Sequence, residues 1–134
     1  MEIIELKQIK RIYKINGQHA EQVARYTLTG EIARADYTPF WVSGDIGDIQ
    51  IKSAKATICQ GTDIAEHLKR DKANRYGYVI KDFSKMFLMS KEEYLEFSTR
   101  FSYQTTESQK NGGKIKMRFK FESKEMIEYL ESKH

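Results

Sequence analysis

The chain has 134 residues, 31% charged and 40% hydrophobic, which suits one globular domain and excludes a disordered or low-complexity chain. Its 23 Lys and Arg against 19 Asp and Glu leave a formal net charge of +4, compatible with a polyanionic partner. A lone cysteine, Cys59, excludes an intrachain disulfide and a multi-cysteine zinc site, and no apolar run is long enough to cross a bilayer.

Taken in chain order, Ile3, Leu6, Ile9 and Tyr13 fall at helical spacing, so residues 3–14 read as a first helix. Asn16 is placed to cap a second helix running to about Leu28, with Ala20, Val23, Ala24 and Leu28 as its buried stripe and Gly30 just past its end. From Glu31 the period shortens. Ile32 to Phe40 reads as a strand, Gly44 and Gly47 mark a turn, and Asp48 to Ile58 reads as the returning strand, which buries the Cys59 thiol beyond it. Thr62-Asp63 caps a helix to Arg70, and Arg75–Ile80 pairs with Lys85–Met89. Ser90 and Glu93 then form a capping box for a helix to Phe101 that buries Tyr94, Leu95, Phe97 and Phe101. Residues 103–114 are polar and end in Asn111-Gly112-Gly113, a loop. Lys116–Phe121 alternates as a strand, and a last helix starts near Lys124 with Met126, Ile127 and Leu130 inward. The aromatic residues, Trp41 and the tyrosines included, are assigned to the core. The whole reads as one α+β domain, a mixed central sheet flanked by helices.

The chemistry concentrates between residues 36 and 52. Alternate side chains of a strand share a face, so Asp48, Gln50 and Lys52 project one way while Ile49 and Ile51 enter the core. Such an alternation also arises on a strand that merely faces water. Combined with Asp36, however, it supplies what metal-assisted phosphodiester cleavage needs. The carboxylate of Asp36, the side-chain oxygen of Gln50 and the main-chain carbonyl of Ile51 are the protein ligands for Mg²⁺ (or Mn²⁺), which takes few protein oxygens and retains water. Lys52 lies beside the attacking water and offsets phosphate charge. Asp45 is the alternative acid, and Asp48 a third, although two strand residues span about 6.6 Å, a long reach to a cation held at Gln50.

With these residues the chain resembles the PD-(D/E)XK nuclease superfamily, which includes restriction, repair and some intron-homing endonucleases. Asp36 matches the family's first acid, Gln50-Ile51-Lys52 its (D/E)-x-K triplet, and Glu21 the glutamate of its preceding helix. Arg34-Ala35-Asp36 and Gly44-Asp45-Ile46 ahead of Gln50-Ile51-Lys52-Ser53 look like small stand-alone nucleases of phage or intron origin. Gln50 departs from the family's Asp or Glu, and Thr38-Pro39 follows Asp36 where the family has a proline before its acid.

The resemblance implies a restriction-endonuclease-like α/β/α fold over residues 1–134. Its core covers about residues 16–81, and residues 82–134 add C-terminal strands, a loop and helices. It implies a Mg²⁺-dependent endonuclease acting on double-stranded DNA, homing- or restriction-like, with Glu21, Asp36, Gln50 and Lys52 as catalytic residues. One active site per chain implies a homodimer or homotetramer. Arg34, Ser53, Lys55, Lys114, Lys116 and Arg118 are the expected DNA contacts; Lys116, Arg118 and Lys120 share one strand face, a pattern that a solvated sheet also gives. A lone thiol and the lack of a signal-peptide pattern make the cytoplasm of a bacterial or phage-infected cell the expected compartment. Two other readings stay open: a non-catalytic nucleic-acid or protein binder on this fold, in which Gln50 marks lost activity, and a structure-specific junction resolvase.

Overall fold

The computed structural model of the protein describes residues 1–31, 41–42, 49–105 and 115–134, with Trp41 and Val42 described by their backbone. Its elements run β1 (Glu2–Glu5), α1 (Asn16–Thr29), β2 (Trp41–Val42), β3 (Ile49–Ser53), β4 (Thr57–Gln60), α2 (Ile64–Arg70), β5 (Arg75–Val79), β6 (Lys85–Ser90), α3 (Lys91–Arg100), β7 (Ser102–Thr105), β8 (Lys116–Phe119) and α4 (Lys124–Ser132). This is a mixed α+β architecture.

The helix ends follow their local chemistry. Gly30 closes α1 in the left-handed region, at φ 75°, and donates its N–H to the Tyr26 carbonyl at 2.8 Å. The Asp63 carboxylate accepts the Glu66 N–H at the start of α2. Ser90 and Glu93 form the expected reciprocal capping box on α3, and Ser123 caps α4. The N-cap of α1 is Ile15 rather than Asn16, whose side chain instead accepts Arg11 Nη2 at 2.6 Å.

Five strands form a sheet in the order β1-β6-β5-β3-β2, antiparallel throughout except where β3 and β5 run parallel. The parallel pair is made possible by a crossover through β4 and α2. Three further strands form an antiparallel sheet in the order β4-β8-β7. The five-stranded sheet is covered on both faces. Against one side, Ala20, Val23 and Ala24 of α1 pack on Ile49, Ile51, Val79, Met86 and Leu88. Against the other, Tyr76, Tyr78, Phe87 and Met89 meet residues of α2, α3 and α4 and Phe119 of the second sheet.

Three expectations from the sequence are corrected. Residues 2–5 form a strand paired with β6, not a helix: the β-branched Ile3 and Ile4 suit an extended chain, and pairing with β6 outweighs an i, i+3 pattern that both states share. The strand expected from Asp48 to Ile58 is broken. Ser53 accepts the Ala56 N–H across a turn in which Lys55 adopts φ 63°, so β3 and β4 join different sheets. Residues 102–105, partly assigned to a loop, extend the second sheet as β7 because β8 supplies their hydrogen-bond partners.

Candidate functional site

β3 buries Ile49 and Ile51 on the α1 side, which leaves Gln50 and Lys52 half-buried on the opposite face, as alternation predicts. The stripe of Ala20, Val23 and Ala24 seats α1 on the sheet and turns its flank, Gly17 and Glu21, toward the end of β3. A recess of about 270 Å³ forms there, its lining including Gly17, Glu21, Gln50, Ile51, Lys52 and Thr57. That volume admits a phosphate group with ordered water, each water taking about 30 Å³.

Lys52 is held in place. Its Nζ donates to the Thr57 carbonyl at 2.8 Å, reaching across the Ser53–Ala56 turn. Burial lowers its pKa, while the negative charges of Asp71 and Glu21 and the Cys59 sulfur pull in the other direction. Asp71 is itself fixed by the Tyr76 hydroxyl, which donates to Oδ2 at 2.7 Å. An ammonium has three N–H donors. One is used on Thr57, and two remain for groups entering the recess.

Burial pushes the Glu21 carboxyl up to about 7, against the opposing attraction of Lys52. A carboxyl poised near neutrality is suited to moving protons at physiological pH. The Gln50 side-chain oxygen is buried and has no hydrogen-bond partner among the described residues. An orphaned buried acceptor is costly, and a hard cation seeks an oxygen of that kind, so Gln50 fits a Mg²⁺ ligand. No group of three or more His, Cys, Asp or Glu side chains among the described residues is arranged to hold a metal ion.

The structure therefore brings Glu21, Gln50, Ile51 and Lys52 together. Asp36, Asp45, Asp48, Arg34 and Lys114 lie outside the described residues. Among the expected DNA contacts, Ser53 is buried; a Cβ added at Gly17 of α1 would lie 3.9 Å from its Oγ. Lys55 is exposed beside the recess, with Nζ 3.8 Å above the Phe121 ring. Lys116 and Arg118 stand half-buried on β8, and Arg118 is directly opposite Thr57.

Two groups that act on Lys52 escaped sequence reasoning. Thr57 contributes a main-chain carbonyl, which its residue type does not announce, although recognising the Ser53–Ala56 turn would have brought it within reach. Asp71 is nineteen residues beyond Lys52 and approaches it only because α2 returns the chain to β5; nothing local signals that. Among the described residues no helix is long and apolar enough to cross a membrane. Compared with known protein families, with curated proteins and with solved structures, the chain matches none.

Proposed function

We propose that the protein is a metal-dependent DNA endonuclease with a restriction-endonuclease-like α/β/α fold, hydrolysing phosphodiester bonds at the recess between α1 and β3. The observation that carries this reading is the convergence of Glu21, Gln50 and Lys52 on one recess, with Lys52 tethered and the Gln50 oxygen without a hydrogen-bond partner among the described residues. Gln50, the Ile51 carbonyl and Asp36 would hold Mg²⁺ or Mn²⁺. A cation there supplies Lewis-acid polarisation of the phosphoryl group. Lys52 directs its remaining donors at the phosphate oxygens and the attacking water, where the Thr57 tether fixes its approach. Glu21, protonated about half the time near pH 7, accepts or returns a proton on the α1 side.

The reading extends to double-stranded DNA as substrate, to a homodimer or homotetramer that cuts both strands, and to the cytoplasm. A second reading is a non-catalytic nucleic-acid binder, in which Gln50 at the position of the superfamily's Asp or Glu marks lost activity. A plasmid-nicking assay with and without Mg²⁺ separates the two. Wild type is expected to nick only with Mg²⁺, and Lys52→Ala to lose about 100-fold or more in rate. Nicking by Lys52→Ala at the wild-type rate refutes the mechanism, and Mg²⁺-independent silence of every form leaves the binder.

A further inference from the structure

Charge is not spread evenly along this chain. Residues 6–20 hold Lys7, Lys10, Arg11 and Lys14 and no Asp or Glu, so the other residues carry 19 basic and 19 acidic side chains and are neutral. The whole formal charge of +4 therefore resides in one short stretch. Between β1 and α1 that stretch has no regular secondary structure, yet it is pinned to its surroundings. The Leu6 N–H donates to the Ser84 carbonyl at 2.9 Å, the Lys7 N–H to Thr27 Oγ1 at 2.8 Å, and Gln8 Nε2 to the Phe83 carbonyl at 2.9 Å. Ile9 packs against the α1-side core. The segment thus starts beside the last turn of α1 and ends at Ile15, the N-cap of that helix, running back along it.

Arg11 serves the fold. Its Nε donates to the Tyr13 carbonyl at 2.8 Å, and its Nη2 to the Lys14 carbonyl at 2.7 Å and to Asn16 Oδ1 at 2.6 Å. Its guanidinium also lies 5.7 Å from the centre of the Phe83 ring. That clasp orders residues 11–16. Lys7, Lys10 and Lys14 are exposed, and among the described residues no carboxylate comes within ion-pair distance of their ammonium groups. Asp82, in the β5–β6 turn, accepts the Ser84 N–H at 2.9 Å.

Free ammonium groups on an ordered run match a regularly spaced polyanion, and such contacts hold a duplex without reading its sequence. The stretch of α1 from Asn16 to Thr27 is about 16 Å long. One strand of a duplex presents a phosphate about every 3.4 Å of axis, so a run of that length passes about five of them. At its end, Lys14 is separated from Gly17 by at most about 11 Å of chain, and Gly17 lines the recess with Glu21 and Lys52. A duplex with one phosphate in the recess therefore has others within reach of Lys14. An anionic lipid surface also attracts lysines, but it takes a helix with a broad apolar face. This segment is not helical, and its exposed large hydrophobics are Ile12 and Ile15 alone.

We propose that Lys7, Lys10 and Lys14, ordered by the Arg11 clasp, form a phosphate track that holds duplex DNA at the α1 end of the recess. The track rests on the nuclease reading and gives that site its grip on the DNA backbone. The test is fluorescence anisotropy in EDTA, where no metal-dependent cutting intervenes, with a labelled mixed-sequence duplex over a salt series. The triple variant Lys7→Gln, Lys10→Gln, Lys14→Gln should weaken binding about 10-fold or more and reduce the slope of log affinity against log salt by about 3. Arginine at the same three positions should retain affinity and slope, separating lost charge from damage to the fold. Lys69→Gln, Lys124→Gln, Lys133→Gln removes the same charge at α2 and α4 and should leave the slope near that of wild type. An unchanged slope in the first triple variant, or an equal loss in the second, overturns the proposal. So does wild-type binding to vesicles of equal parts phosphatidylcholine and phosphatidylserine without binding to duplex. Because binding is read without metal, a protein that binds through these lysines but never nicks sinks the nuclease reading and leaves the track. One that nicks while the first triple variant binds as wild type does removes the track alone.

Discussion

The two faces of the five-stranded sheet are built from different materials. The α1 face is aliphatic and thin, with Ala20, Val23 and Ala24 against Ile49, Ile51, Val79, Met86 and Leu88. The opposite face is aromatic. Tyr76 stacks on Tyr94 at 4.0 Å between centroids, and Phe97 contacts Tyr78, Phe101, Phe119 and Tyr129. Small residues let a helix approach a sheet closely, and that approach brings Glu21 and Gly17 to the rim of β3. Large rings bury more area each and join several elements at once. The aromatic side anchors the fold, and the aliphatic side sets the position of the site.

That contrast can be broken most severely at Phe97. Phe97→Ala is expected to cost about 3–5 kcal/mol in urea denaturation, whereas Ile51→Val on the α1 side should cost only about 0.5–1.5. Equal losses would mean the two faces carry similar weight. The close approach on the α1 side is tested at Gly77 of β5. A Cβ there would collide with Met86 Sδ and come within 3.1 Å of Ile51 Cδ1. Gly77→Ala is expected to cost about 1–3 kcal/mol through overpacking. Met86→Ala in the same chain should recover part of that loss, a non-additivity that a double-mutant cycle measures.

A smaller effect should appear at Glu21. Its folded pKa of about 7 lies above the ordinary 4.5, so the folded chain binds that proton more tightly than the unfolded chain. The resulting stabilisation is complete below pH 4.5 and is lost as pH rises through 7. After allowance for solvent screening, this amounts to on the order of 1 kcal/mol. Glu21→Gln stays neutral and should abolish that decline, which urea midpoints collected across the window will reveal. A wild-type decline that survives in Glu21→Gln assigns it to another group.

Local signals in the sequence were sufficient for α1 with its Gly30 end, for α2 behind Asp63, for the capping box of α3, for the β5–β6 hairpin and for α4. In the helices a clear period is joined by a terminating signal at one end, Gly30 for α1 and Asp63, Ser90 and Ser123 for α2, α3 and α4, even though Asn16 does not cap α1. They were insufficient at residues 2–5 and 102–105, where strand identity depends on a partner, β6 or β8, far along the chain. The alternation of β3 was legible, and with it the pairing of Gln50 with Lys52 on one face. The break after Ser53 was not, because an alternating pattern can run through a turn whose left-handed residue is Lys55 rather than glycine. Assigning all tyrosines to the core was right for Tyr76, Tyr78, Tyr94 and Tyr129 and wrong for Tyr103, since aromatic character records a preference for burial but not which sheet face is left uncovered.

Local sequence specifies the helices with their terminating residues and the alternation that sends Ile49 and Ile51 inward and Gln50 and Lys52 the other way. Those depend on neighbours within a turn or two. The assembled fold alone sets Glu21 beside Lys52, brings Thr57 and Asp71 to its ammonium, and puts Arg118 and Tyr103 in register with Thr57. These relations join residues tens of positions apart, and their geometry is set by how the sheets pair and how α1 and α2 pack, which no local pattern encodes.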